Sequence, residues 1–321
     1  MIIVEQTAEE LKGSPLERIE LAGRTCYNSL GNMKEGSALP FVTNLIRRHH
    51  YTPTEQVAVK IPVPLLEPRM YLINAKIQGK EYPRNRLDYG EQIVYNNEFV
   101  QSVRGTARAF FELGIDPAIL QDQHVVVDDD YVTIKFVTDR GIANEFIRHR
   151  ALAYGDDGYP SPEEREESVE ELGLVQESTR YVNYTKKEFK VCRPVPSSFC
   201  YDEESLEYHI WYDSCESSYA SYQQLCMVGV APQIARNVLP LSTATTVVMS
   251  GYISQWIALL NLRMPKDAQP QARYLGAQIF DILAPKLSVH NVGYNECKKL
   301  KELRDDIMSE VDELKRKYNH E

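Results

Sequence analysis

Glu145-Phe146-Ile147-Arg148-His149-Arg150, resumed after an acidic interruption by Gln176-Glu177-Ser178-Thr179-Arg180-Tyr181, is the stretch on which the reading of this chain turns. Three arginines, a histidine, a serine and several amide or carboxylate side chains are set close together here in otherwise apolar sequence. An arginine presents a planar fork of donors that pairs with phosphate oxygens two at a time, whereas a lysine presents a point charge. The stretch therefore suits a site that grips phosphate and a polar heterocycle, and reads as nucleotide-binding. Taken alone, Arg148, His149 and Arg150 also fit a solvated helix end, where cations complement the dipole. The preceding residues weigh against that. Val132, Ile134 and Phe136 alternate with polar residues as a strand does, and Ile142, Phe146 and Ile147 follow at helical spacing. The basic cluster comes after a buried strand and helix, not on a polar tail.

Working outward, 321 residues can bury a large core. Hydrophobic residues at 43% and charged residues at 26% place the chain among ordinary globular proteins. No run is long and apolar enough to span a bilayer, and Met1-Ile2-Ile3-Val4-Glu5 lacks the basic region and cleavage site of a signal peptide. The expectation is a cytoplasmic protein without a membrane partner. Six cysteines lie far apart with no Cys-x-x-Cys pair, so they read as buried thiols and no metal site is expected. A net charge of −10 argues against a surface that coats nucleic acid, while a local arginine pocket still accommodates a small anion.

Before the decisive stretch, a strand is expected at Ile2 to Glu5, then helices through Leu16 to Ala22 and Phe41 to Ile46, then a strand through Val57, Val59 and Ile61. From Pro62 to about Asp130 three prolines interrupt that strand, Arg84 to Gly90 is polar and loop-like, and Phe99 to Leu113 has helical spacing. Tyr154 to Gly173, with two prolines and a string of acids, reads as a solvated loop with one short helix starting at Ser161-Pro162. The C-terminal third is expected to be mostly helical: Leu206 to Val228 ended by Gly229, Pro232 to Asn237, Ala272 to Leu283 and Glu302 to Tyr318. Thr245 to Leu262 delivers Arg263.

At this point five blocks in order resemble the flavin-dependent thymidylate synthases, the ThyX family. They are Ala22-Gly23-Arg24-Thr25-Cys26-Tyr27; Thr133 to Gly141; Arg148-His149-Arg150 with Gln176 to Tyr181; Ala235-Arg236-Asn237-Val238-Leu239-Pro240; and Asn261-Leu262-Arg263. The resemblance implies an α+β fold, a mixed β-sheet flanked by helices. It implies one domain over residues 1–321, with a family-variable insertion at 62–130 and an acidic loop insertion at 154–173. It further implies C5 methylation of dUMP to dTMP with FAD as hydride carrier, and NADPH and methylenetetrahydrofolate as co-substrates. Assembly as a homotetramer with shared active sites follows from the same resemblance.

Carried over by residue, Glu145, Arg148, Gln176, Glu177, Ser178, Thr179, Arg180, Arg236 and Arg263 would bind the nucleotide, with Arg148 and Arg263 catalytic. Arg148, His149, Arg150, Gln56, Ser254 and Leu262 would bind the flavin. The departures fall on the flavin side: Gln56 stands where members generally have histidine, and Ala258 where they usually have asparagine or histidine. Two alternatives stay open on that ground, another C5 modification of a pyrimidine nucleotide such as hydroxymethylation, and a non-catalytic nucleotide-binding subunit.

Overall fold

Residues 131 to 139, Tyr-Val-Thr-Ile-Lys-Phe-Val-Thr-Asp, form the inner strand around which the computed structural model is built; it describes residues 1–78, 87–148, 172–180, 182–287 and 294–318. In chain order the strands are β1 (Ile2–Val4), β2 (Thr7–Glu10), β3 (Ala58–Pro62), β4 (Leu87–Tyr95), β5 (Glu98–Thr106), β6 (Val126–Val127), β7 (Tyr131–Asp139), β8 (Gly173–Gln176), β9 (Lys190–Cys192) and β10 (Ala244–Tyr252). The helices are α1 (Pro15–Cys26), α2 (Ala38–Arg47), α3 (Val63–Leu66), α4 (Met70–Gln78), α5 (Ala107–Phe111), α6 (Arg140–Arg148), α7 (Leu206–Met227), α8 (Pro232–Ala235), α9 (Ile253–Arg263), α10 (Pro270–Leu287) and α11 (Tyr294–Lys317). The class is α+β.

The central sheet has the order β2-β7-β10-β8 with antiparallel neighbours. A parallel pair, β1 with β9, lies outside it, so both kinds of pairing occur but in separate sheets. β7 and β10 pair over nine residues, from Tyr131 opposite Tyr252 to Asp139 opposite Ala244. Directly opposed residues share a face. Phe136 with Val247 and Ile134 with Met249 therefore meet α6, α9, α10 and α11 in one apolar cluster, which includes Phe146, Trp256, Leu275 and Ile307. The opposite face presents Val175 and Val248, which pack with Ala22 of α1. Trp256 is wholly buried and spends its indole N–H on the Val132 carbonyl at 3.0 Å.

A second antiparallel sheet, β4-β5-β3-β6, has its own core of Val59, Ile61, Leu87, Val103 and Phe110, closed by Leu16 and Ile19 of α1. Thus α1 touches both sheets. Its start is set by Ser14, whose N–H and hydroxyl both reach Glu17 Oε2, with Pro15 at the first helical position. The joint between the sheets is the turn Thr52–Gln56. There the Tyr131 and Ser250 hydroxyls donate to the Glu55 carbonyl at 2.6 and 3.2 Å, and the Thr133 hydroxyl donates to the Gln56 carbonyl at 2.6 Å.

Most of the expected elements form. Two expectations are corrected. Phe99 to Leu113 is not one helix: β5 runs to Thr106 and only Ala107–Phe111 is helical. Leu87 to Gly90 is strand, not loop. The cause is the two-residue link Asn96-Asn97, at φ 50° and 67°, between the paired Tyr95 and Glu98. Two positive φ values in a two-residue loop match the right-handed twist of a hairpin, and asparagine adopts them cheaply. The acidic stretch lies outside the described residues through Glu171, and the helix start at Ser161-Pro162 lies there too; Gly173 opens β8. No helix among the described residues is long and apolar enough to cross a membrane.

Phe136, fully buried against Phe146 at a ring separation of 5.7 Å, is the aromatic centre of the main core. Phe136→Ala is expected to lower unfolding free energy by about 3–5 kcal/mol, read as a fall in the urea midpoint at constant slope.

Candidate functional site

β7 and β10 launch helices from opposite ends of their pairing, α6 after Asp139 and α9 after Tyr252. Both helices cover the same sheet face. They run towards each other and meet near their far ends, where Arg263 Nη1 lies 3.3 Å from Glu145 Oε2 and Nη2 donates to the Glu145 carbonyl at 3.0 Å. Arg148 ends α6, and His149 and Arg150 lie outside the described residues.

Asp139 starts α6 by accepting the Ile142 N–H at 2.7 Å. Burial raises its carboxyl above the ordinary value of 3.8, against the pull of the Ile142 and Gly141 amides.

The loop after β8 carries the second group. Gln176 Nε2 donates to the Thr245 hydroxyl at 3.3 Å. The Glu177 N–H donates to Thr246 O at 2.8 Å, its carbonyl accepts from Arg140 Nη2 at 3.1 Å, and its carboxylate accepts from Asn28 Nδ2 at 2.9 Å. The Ser178 hydroxyl accepts the Arg180 N–H at 3.2 Å. Arg236 Nη1 donates to the Thr179 hydroxyl at 2.8 Å, and Arg180 Nε to Gln233 Oε1 at 3.3 Å. Both guanidinium groups belong to exposed residues. Thr179, Arg180 and Arg236 thus form one cluster from blocks 57 positions apart. Arg263 pairs instead with Glu145.

Of the residues expected at a flavin, Ser254 and Leu262 lie on α9 beyond the end of β10, and Gln56 ends the turn Thr52–Gln56. Gln56 is wholly buried, and neither its amide nitrogen nor its oxygen has a hydrogen-bond partner among the described residues. Gly173 lets it approach: a Cβ there would fall 3.1 Å from Gln56 Nε2 and 2.6 Å from the Ser250 hydroxyl. Ser254, Ala258 and Leu262 recur every fourth residue along α9, so they share a face, and Ser254 and Leu262 are exposed.

A cleft of about 650 Å³ opens beside the loop, lined in part by Asn28, Glu177, Tyr184, Lys187, Thr245 and Thr246. Burial pushes the Tyr184 phenol up. Asn28, Arg140, Lys187 and Gln233 were not legible as site residues. An asparagine two residues after a helix signals a cap, which locates Asn28 but not its long-range partner.

Asp139 gives a pH test. The folded state holds its proton more tightly than the unfolded state, so its contribution is fully present below pH 3.8 and is lost as pH rises through the elevated folded value. Asp139→Asn keeps an acceptor for Ile142 and removes the titration. Urea midpoints are expected to show the variant gaining on wild type as pH rises through that window, with a constant difference above it.

The family model described as thymidylate synthase complementing protein matches residues 115–287, more than half the chain. The chain is 25% identical over 148 residues to a flavin-dependent thymidylate synthase of Synechocystis sp. (strain ATCC 27184 / PCC 6803 / Kazusa), covering 44% of this chain and 60% of that one. It is 28% identical over 148 residues to a probable flavin-dependent thymidylate synthase of Paramecium bursaria Chlorella virus 1, covering 45% and 62%. The alignments therefore span about three fifths of these relatives. Among solved structures, a UMP/dUMP methylase PolB from Streptomyces cacaoi bound with 5-Br dUMP aligns over 89% of this chain and 93% of that one, at 14% identity and a TM-score of 0.41.

Proposed function

We propose, because this chain belongs to the thymidylate synthase complementing protein family, that of the flavin-dependent thymidylate synthases, that it methylates dUMP at C5 to dTMP. Methylenetetrahydrofolate is the carbon donor, FAD the hydride carrier and NADPH the reductant. The observation that carries this reading is the contact of Arg236 with Thr179 at 2.8 Å, which joins two separate sequence blocks into one anion-binding cluster beside Arg180.

In this reading Ser178, Thr179, Arg180 and Arg236 hold the phosphate. Two guanidinium groups and adjacent hydroxyls match the donor demand of a phosphate dianion. Gln176 and Glu177 orient the nucleotide from the same loop. Arg263, set by Glu145, and Arg148 stabilise negative charge on the uracil carbonyls as C5 becomes nucleophilic, the preorganised electrostatic role that usually contributes most to catalysis. Within one chain the phosphate cluster and the Glu145–Arg263 pair form two groups. A cytoplasmic homotetramer with shared sites would complete each phosphate cluster with the pair of a neighbouring protomer. Cys26, next to the loop, does not serve as a thiolate nucleophile at neutral pH, since burial pushes its thiol up to about 11.

The residues present fit a flavin. A buried carboxamide whose donor and acceptor are both unspent, Gln56, matches a ring edge that alternates N–H and C=O. The stripe of Ser254, Ala258 and Leu262 offers a face with small residues to a planar ring, and Arg148, His149 and Arg150 complete the set proposed to hold it. A bound flavin supplies the hydride, while the protein contributes binding and orientation.

Purified protein is expected to be yellow, or to become so with FAD, and to oxidise NADPH when dUMP and methylenetetrahydrofolate are present. A colourless preparation that FAD does not reconstitute would reject the flavin reading. A hydroxymethylated product by mass would select the other C5 chemistry, and dUMP binding without turnover the non-catalytic subunit. Arg236→Ala and Arg263→Ala are each expected to weaken dUMP binding by about 1.5–3 kcal/mol, the scale of a charge-assisted hydrogen bond, measured by calorimetry, with the flavin spectrum retained.

A further inference from the structure

The chain leaves α1 through Tyr27 and Asn28. Asn28 has φ 47°, the left-handed conformation in which many helices end and which glycine or asparagine adopts at least cost. Its N–H reaches Thr25 O at 3.1 Å and that of Ser29 reaches Arg24 O at 3.0 Å. Glycine would meet those backbone needs alone. The carboxamide adds a contact across 149 positions, Nδ2 to Glu177 Oε1 at 2.9 Å. The helix end is tied to the loop twice more: the Ser178 N–H donates to Cys26 O at 3.0 Å, and Lys187 donates to the Asn28 carbonyl.

We propose that Asn28 is a positioning residue, which fixes the Glu177 carboxylate and with it the register of Ser178, Thr179 and Arg180 before a nucleotide arrives. This rests on the reading of that loop as the nucleotide holder. Residues 177 to 180 lie outside any helix or strand, so anchors from other elements must hold them. Thr246, Arg140 and Cys26 restrain the Glu177 and Ser178 backbone. Asn28 engages the Glu177 side chain as well. That engagement has an electrostatic use, because a carboxylate left loose beside a phosphate opposes its binding.

The test uses three variants of the full chain. Asn28→Gly keeps the left-handed backbone and removes the carboxamide. Asn28→Asp sets a second carboxylate against Glu177. N28D/E177Q reverses donor and acceptor and restores the hydrogen bond. Both single variants are expected to accelerate hydrogen exchange at the Glu177 and Ser178 amides without ligand, and to weaken dUMP binding about tenfold, the loss of one charge-assisted hydrogen bond. In the double variant the slow exchange should return, which a merely general loosening would not allow. Unchanged exchange in both single variants, or fast exchange that the double variant does not reverse, overturns the proposal. So does unaltered dUMP affinity in both single variants of a protein that binds dUMP. Should wild type not bind dUMP while the exchange pattern holds, the brace stands and the proposed function fails.

Discussion

The pairing of β7 with β10 is the constraint from which the rest of the architecture follows. Nine residues in one antiparallel register place Asp139 at one end of the sheet and Tyr252 at the other. α6 and α9 start at those ends and cover the same face, so their far ends are obliged to meet. Nine paired residues span roughly 30 Å, while helices of nine and eleven residues rise only about 14 and 17 Å. The two helices together therefore bridge about the length of the strands, and the Glu145–Arg263 pair sits where they converge. A register slip of one residue would turn Phe136 and Ile134 out of the core and dissolve that convergence.

Local patterns made much of this legible. Val132, Ile134 and Phe136 alternate, and the strand is found there; Ile142, Phe146 and Ile147 recur at helical spacing, and α6 carries them. Ser14-Pro15 with Glu17 marks the start of α1. Tertiary context defeated the same rules elsewhere. β10 is covered on both faces, by Val247 and Met249 on one side and Val248 on the other, so its apolar residues fall in one short unbroken run, Val247-Val248-Met249, between Thr246 and Ser250, with no two-residue period to read. Residues 99 to 113 contain apolar spacings that suit a helix, and only the Asn96-Asn97 turn reveals the hairpin.

The candidate site was legible as residue types and as blocks, but not as contacts. Thr179, Arg180 and Arg236 come together as their chemistry suggests. Arg263 finds Glu145, a partner 118 positions away that helix geometry dictates and spacing does not encode. Arg140 and Asn28 were silent because each acts through a hydrogen bond made only in the folded chain, to the carbonyl or carboxylate of Glu177. Patterns within a window of a dozen residues carry no information about such bonds.

The seam at Thr52–Gln56 is stitched by main-chain oxygens: hydroxyls of Tyr131, Thr133 and Ser250 all end on the carbonyls of residues 55 and 56. Any amino acid supplies a carbonyl, so these three bonds do not depend on which side chain stands at position 56. Exchanging the carboxamide of Gln56 for another side chain of similar size therefore leaves all three of these hydrogen bonds in place. The bonds that join the two sheets are thus separate from the Gln56 amide beside them, whose donor and acceptor both stay unspent among the described residues.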